Sequence, residues 1–227
     1  MERLTAEDYF REAFDVLARN GSEALTIATL CDRLEITKGS FYHHFGGMPG
    51  FVAQLLEFWE REHSERLIAL SKAQPDPALR ITMLTDIAVG LPHGPEGAIR
   101  AWGQSNPDVA AVTARVDKRR ERHVVDAIAA LGIDRTRARL LARLALDLLV
   151  GIQQREQPGD LKRIRQMFEE LNKLVFLEAD PELVARLVDH MAAPAARSKK
   201  GLSARGWGNR RTTPEATARV GEWRGNL

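Results

Sequence analysis

Between Thr37 and Phe45 the chain reads Thr-Lys-Gly-Ser-Phe-Tyr-His-His-Phe, a run of hydrogen-bonding side chains built around two aromatic residues. Phe41 and Phe45 are four apart, so on an α-helix they share one face and point together toward a core. Turning by about 100° per residue puts Gly39 and His43 on the opposite side, with Ser40 and Tyr42 flanking them. An exposed face of small, hydroxyl and imidazole groups, with Lys38 near its start, suits a groove of double-stranded DNA. Lys38, Ser40, Tyr42 and His44 can donate to phosphate oxygens, and Gly39 lets the backbone approach closely.

Other chemistry is poorly supported. Glu60-Arg61-Glu62-His63 is an E-x-x-H, a spacing that supplies two metal ligands in di-iron helical bundles. Such a site needs a second copy of the motif, which the chain lacks, so the expected reading is a solvated charged face. H-E-x-x-H, G-x-x-x-x-G-K and G-x-S-x-G are all missing, which removes the metalloprotease, P-loop and hydrolase readings. Gly46 to Gly50 is glycine-rich without a lysine and reads as a turn between helices. Cys31 is the single cysteine, too few for a disulfide framework or a zinc finger, and reads as a small buried hydrophobe. No catalytic residue, metal or cofactor is expected.

The elements that position the Thr37–Phe45 face follow from helical periodicity, which runs through almost the whole chain with no sustained period of two. The fold class is therefore all-α, opening with a three-helix helix-turn-helix domain and continuing as a helical bundle. Thr5-Ala6-Glu7-Asp8 has the pattern of a capping box, and Asp76-Pro77, Asn106-Pro107 and Asp180-Pro181 each place a cap before a first-turn proline. The expected helices span about 5–19, 26–33, 37–44, 48–72, 77–91, 95–104, 107–131, 135–155, 160–178 and 181–192. Leu30, Leu34, Ile36, Phe41 and Phe45 form the small shared core of the helix pair, with Thr37 capping its second member.

Of the 227 residues, 44% are hydrophobic and 28% charged, ordinary for a soluble globular protein. The formal net charge of +2 is unevenly spread. Residues 194–227 carry eight Lys/Arg against two Glu, so the preceding body is mildly acidic. The expected division is a helix-turn-helix domain over 1–47, a helical domain over 48–193 and a flexible basic tail over 194–227. No secretory-signal pattern or membrane-spanning run is found, and a cytoplasmic location is expected. Residues 1–50 contain five Lys/Arg and eight Asp/Glu. Phosphate neutralisation supplies much of DNA affinity, so an isolated reader of this charge should show a log K against log [salt] slope no steeper than about −6.

Thr37 to Phe45 resembles the recognition helix of the tetracycline-repressor-like (TetR) family, and Leu25-Thr26-Ile27 resembles the lead-in to that family's second helix. The likeness is strong over about the first fifty residues. It implies an all-α homodimer, with an N-terminal DNA reader and a C-terminal domain holding an effector pocket and a helix-bundle interface. Carried over by position, Thr26, Lys38, Tyr42 and His44 match phosphate-contacting residues, and Thr37, Gly39, Ser40 and His43 match residues near bases. Glu35 stands at the turn position where the family usually has Gly, and Met48 where it usually has Lys. The implied partners are a palindromic operator, a small-molecule effector and a second copy of the chain. Ligand binding would then release a repressor from its operator.

Beyond the reader, Ile81, Leu84, Ile87, Ala88 and Leu91 share a helix face, and Met83 and Val89 lie elsewhere on an unusually apolar segment that should sit inside the domain. By analogy with the family, Phe58, Trp59, Met83, Ile87, His93, Trp102, His123 and Asp147 are the expected pocket residues. Apolar stripes at Leu141, Leu144, Ala145 and Leu148, and at Ile164, Phe168, Leu171, Leu174 and Val175, are expected to meet their two-fold copies in a four-helix interface. A competing reading, a helical small-molecule-binding or interaction protein with weakened DNA contacts, stays open at this point.

Overall fold

The computed structural model describes residues 4–155 and 160–192, and among them all regular structure is helical. Met1–Asp189 makes one compact unit, whereas of His190–Leu227 only the helical residues up to Ala192 are described. The expected tail over 194–227 lies outside the described residues. The N-terminal helices are α1 (Ala6–Asn20), α2 (Ile27–Leu34) and α3 (Lys38–Phe45), with a short 3₁₀ turn at Ser22–Ala24. They lead into α4 (Met48–Glu60), which passes through a π-helical segment at Arg61–Glu65 into α5 (Arg66–Lys72). Then follow α6 (Pro77–Gly90), α7 (His93–Gly103), α8 (Pro107–Ala129), α9 (Arg135–Arg155), α10 (Leu161–Leu177) and α11 (Pro181–Ala192).

The start signals act as their chemistry requires. The Asp8 carboxylate accepts from the Thr5 backbone N–H at 2.8 Å and from its hydroxyl at 2.7 Å. Asp76 Oδ1 accepts from the N–H groups of Ala78 and Leu79 at 2.9 and 3.0 Å, and Asn106 Oδ1 does the same for Asp108 and Val109. Each proline that follows lacks an N–H that would have had no helical partner. The same logic lets α7 begin at His93 rather than at 95, because Pro95 falls within its first turn.

Two expectations need correction. The helix foreseen over 48–72 is not uniform: the Arg66 N–H reaches back five residues to the Arg61 carbonyl, which inserts one extra residue into the turn. That turn swings Glu60, His63 and Ser64 inward, so the Glu60–His63 stretch is not a solvated face. Second, α6 is not buried all round. Ala78, Ile81, Thr85 and Val89 are buried, while Asp86 and Gly90 are exposed and Met83 is half-buried.

An aromatic core joins α1 to α4, with Tyr9, Phe10, Phe14, Phe41, Phe45, Phe51, Phe58 and Trp59 all buried in it. Ile99 of α7 and Val109 and Val116 of α8 belong to the same core, so packing is continuous across residue 47. Gly50 and Gly97 permit two of the close approaches. A Cβ on Gly50 would lie 2.2 Å from the Phe45 carbonyl oxygen, and one on Gly97 would lie 2.4 Å from that of Gln153.

Candidate nucleic-acid interface and adjoining cavity

Between α2 and α3 the backbone turns through Glu35, whose φ of 55° and ψ of 44° are left-handed. It is the only non-glycine residue with positive φ among the described residues. The Ile36 N–H bonds to the Cys31 carbonyl at 3.0 Å and closes the turn. Thr26 Oγ1 accepts from the Thr29 N–H at 3.1 Å, and Thr37 Oγ1 from the Ser40 N–H at 3.2 Å. Both caps sit in exposed positions at the starts of α2 and α3.

The seat of α3 is aromatic. Phe41 is fully buried, and its ring centroid lies 5.1 Å from Phe45 and 5.2 Å from Phe51. Phe45 meets Tyr9 and Phe51 edge-on at 5.1 and 4.9 Å, the geometry that aromatic quadrupoles favour. The opposite face carries Thr37, Lys38, Gly39, Tyr42 and His43, all exposed. Ser40 and His44 are half-buried flank residues. The Ser40 hydroxyl lies 3.2 Å from the Tyr9 hydroxyl, and the His44 ring lies 5.4 Å from the Tyr9 ring. Gly39 is informative because the protein itself does not need it. An added Cβ would meet only Thr37 Oγ1, at an ordinary 3.7 Å.

Charge in this region is segregated. The α1 carboxylates are tied up with arginines: Glu7 with Arg11 at 3.1 Å, Asp15 with Arg19 at 3.1 Å, and Glu12 with Arg33. No carboxylate lies on α3, whose ionisable side chains are Lys38, Tyr42, His43 and His44. Thus the local acidity foreseen from residues 1–50 sits mainly off the presented face. Met48 is half-buried against the aromatic core. Cys31 is buried as expected, and that burial pushes its thiol pKa upward.

Beneath the aromatic core lies a buried polar cluster that sequence reading missed. Glu96 of α7 is 0% exposed and accepts from Trp59 Nε1 at 2.8 Å and from the Arg120 guanidinium at 2.9 and 3.0 Å. Burial alone would raise the Glu96 pKa. The attraction of Arg120 and hydrogen bonds from His63 and Arg120 outweigh it and hold the carboxyl far below its usual range. Arg120 also donates to the His63 carbonyl at 2.9 Å. The His63 ring lies 5.5 Å from that of Phe14, which ties the π segment to α1. Nothing local in the sequence marks this cluster, because its partners are 24 to 57 residues apart.

Next to it, the structure holds a cavity of about 100 Å³ lined from α5, α6, α8, α9, α10 and the π segment. The stripe of Ile81, Leu84, Ile87, Ala88 and Leu91 forms one wall. Among the expected pocket residues Ile87 and His123 line it, and the others do not. Phe58 and Trp59 are packed into the aromatic core because α4 faces α1 there, while Trp102 borders a separate groove near Met48. His93 turns back toward the Val89 carbonyl at 3.3 Å. Met83 lies off the lining stripe, and Asp147 points outward to pair with Arg143 at 3.1 Å.

The stripes on α9 and α10 are likewise split. Leu141, Ile164, Phe168 and Val175 are buried within the subunit, and Ala145 and Leu171 stand on the cavity wall. Leu148 is half-buried beside Leu149 and Phe168. Only Leu144 and Leu174 of the nine are exposed, because these helices use most of their apolar surface inside one chain. The structure adds three further exposed leucines on the same helices: Leu140, Leu161 and Leu177. Among the described residues no helix is long and apolar enough to cross a membrane, and no group of three or more His, Cys, Asp or Glu could hold a metal ion.

Residues 10–55 match the family model of bacterial regulatory proteins of the tetR family. No curated protein sequence matches the chain. Solved structures share its fold. A transcriptional regulator from Rhodococcus sp. RHA1 is 16% identical with a TM-score of 0.65, over 78% of this chain and 98% of that one. A TetR transcriptional regulator from Legionella pneumophila is 12% identical with a TM-score of 0.62, over 75% and 98%. The ketosteroid transcriptional regulator KstR2 of Mycobacterium tuberculosis is 19% identical with a TM-score of 0.58, over 77% and 94%.

Proposed function

We propose that the chain, whose residues 10–55 match the family model of bacterial regulatory proteins of the tetR family, is a DNA-binding transcriptional regulator that works as a cytoplasmic homodimeric repressor released from a palindromic operator by a small molecule. The observation that carries this reading is α3. Its aromatic side is sealed into the core and its other side is free of carboxylates, presenting Thr37, Lys38, Gly39, Tyr42 and His43. In this reading α3 enters the major groove. Thr37, Gly39 and His43 lie nearest the bases, with Ser40 at their flank. Thr26, Lys38, Tyr42 and His44 hold the phosphates.

Two readers reach successive major-groove faces only if they sit about 34 Å apart, which requires a dimer. We assign the contact to the outward leucines of α9 and α10, Leu140, Leu144, Leu161, Leu174 and Leu177. Five exposed leucines on two helices are a large apolar surface for a monomer to leave in water. The cavity is the site where a ligand would bias the equilibrium between operator-competent and incompetent states, in proportion to its preference for one of them.

In-vitro selection from random duplexes tests the core of this reading. Enrichment of a two-fold symmetric site is the expected result, and no enriched site would overturn it in favour of a non-DNA-binding helical protein. Sedimentation of the free protein as a monomer at micromolar concentration would remove the dimer.

A further inference from the structure

The cavity beside the polar cluster is mostly hydrocarbon, but two polar atoms on its wall are left without partners. Ser64 is 1% exposed and its Oγ makes no hydrogen bond. His123 is 5% exposed; its Nε2 lies 3.1 Å from Ser71 Oγ, while its Nδ1 makes no hydrogen bond. Both residues line the cavity. An unsatisfied buried polar atom costs stability, and two on one apolar cavity are best explained by something that enters and pairs with them.

The charge of the wall narrows what that is. Among the described residues no Asp or Glu lines the cavity, so a cation finds no counter-charge there. Arg120 does line it, but Glu96 already neutralises its guanidinium, and three of its N–H groups are spent on Glu96 and the His63 carbonyl. An anion would have to displace a carboxylate that Trp59 and Arg120 both hold. Burial, then the Lys72 and Arg80 cations, lower the His123 pKa below its ordinary 6.5, so that ring adds no charge at neutral pH. Also on the wall, the Asn172 amide N–H donates to the Thr85 hydroxyl oxygen at 2.8 Å. His63, the other imidazole on the wall, faces Glu96 at 3.4 Å, so any charge it carried would already be matched. Charged ligands therefore face a desolvation cost that the wall does not offset.

We infer that the cavity takes a compact, uncharged, mainly hydrocarbon molecule of about six to ten non-hydrogen atoms, on the scale of the benzene-binding cavities of about 150 Å³, with one hydroxyl or carbonyl oxygen that pairs with Ser64 and His123. This deepens the reading of the chain as a ligand-released regulator, on which it rests. A hydroxyl suits the pair because Ser64 can donate or accept, and His123 Nδ1 does one or the other according to its tautomer.

Calorimetry on the full-length, DNA-free protein with a matched ring series tests it: benzene, phenol, cyclohexanone, benzoate and benzylammonium. Phenol or cyclohexanone should bind about three- to tenfold more tightly than benzene, the worth of one net hydrogen bond, and the two ions should not bind. In the Ser64→Ala, His123→Phe double variant that preference should fall to near one. Ser64→Ala alone removes a single oxygen, so it reports a partial loss even if the double variant fails to fold. Benzene binding as tightly as phenol, benzoate or benzylammonium binding as tightly as either, a preference unchanged in both variants, or no binding by any member would overturn the inference. Because no DNA is present, such a failure leaves operator selection untouched. A chain that shows the preference yet selects no operator would instead sink the regulator reading.

Discussion

The exposed face of α3, proposed to read DNA, and the cavity sit on the same helical scaffold but are built in opposite senses. Around α3 the apolar rings are packed ring against ring and the polar groups are turned out, with Phe41 sealed between Phe45 and Phe51. Around the cavity the polar groups are turned in. Glu96, Arg120, His63, Ser64 and His123 are all buried, and space is left unfilled beside them. Close aromatic packing has few alternative arrangements and fixes a side chain's direction. A buried ion pair beside a void is costly to break yet leaves room for a guest. In the proposed function, the contrast separates what must hold still from what must respond.

The comparison can be broken by substitutions, beginning with the largest effect. Phe41→Ala removes the centre of the aromatic seat and should cost about 3 to 5 kcal/mol in denaturant unfolding. A loss below about 1 kcal/mol would mean that α3 is held by something other than that core. Glu96→Gln leaves Arg120 buried without its counter-charge and should cost about 3 kcal/mol. The wild-type contribution has a definite pH sense. The Glu96 pKa is lower folded than unfolded, so its stabilisation is complete above the ordinary value of 4.5 and declines as pH falls below it toward the depressed folded value. Unfolding midpoints of wild type and Glu96→Gln should therefore converge in acid, and a constant gap down to pH 2.5 would contradict the pairing.

Gly39→Ala sharpens the contrast from the other side. A methyl group fits within the protein, and alanine favours helix over glycine by up to about 1 kcal/mol, so stability should hold or rise. Operator affinity should nevertheless fall about tenfold, or 1.4 kcal/mol, if the bare backbone is there for DNA. Unchanged affinity in a binding titration would show that Gly39 faces no partner. The smallest effect is expected for Glu35→Gly. Relief of the left-handed strain less the entropy of glycine leaves a gain of about 0.5 kcal/mol, with operator binding unchanged.

The helix-turn-helix geometry was legible in the sequence because its determinants are local. The Phe41–Phe45 spacing, the Thr37 cap and the turn at Glu35 all fall within one short stretch and each has one structural meaning. Ser40 and His44 were placed less well, since their half-burial depends on Tyr9, some thirty residues away. The cavity was only partly legible. Periodicity found the Ile81–Leu91 stripe that lines it, but a stripe does not name its neighbour. That is why Leu141, Phe168 and Val175 read as an outer interface and proved to face inward. The Glu96–Arg120 pair left no trace at all, for it joins helices far apart in the chain. A change of hydrogen-bond register at Arg61–Glu65 likewise has no compositional sign.

That register change puts the two halves of one continuous helix on different angular phases. From Met48 to Glu60 the phase is set by Phe51, Leu55, Phe58 and Trp59 against the aromatic core, and after Arg66 by Leu67 and Ser71 against the cavity side. One extra residue amounts to about 100° of turn and 1.5 Å of advance, so an uninterrupted α-helix could satisfy one face or the other but not both. Deleting a single residue between Arg61 and Glu65 would restore the ordinary pitch. It would then have to unseat the rings that hold α3 or carry Ser64 off the cavity wall, so the angle between those two surfaces is written into one surplus residue.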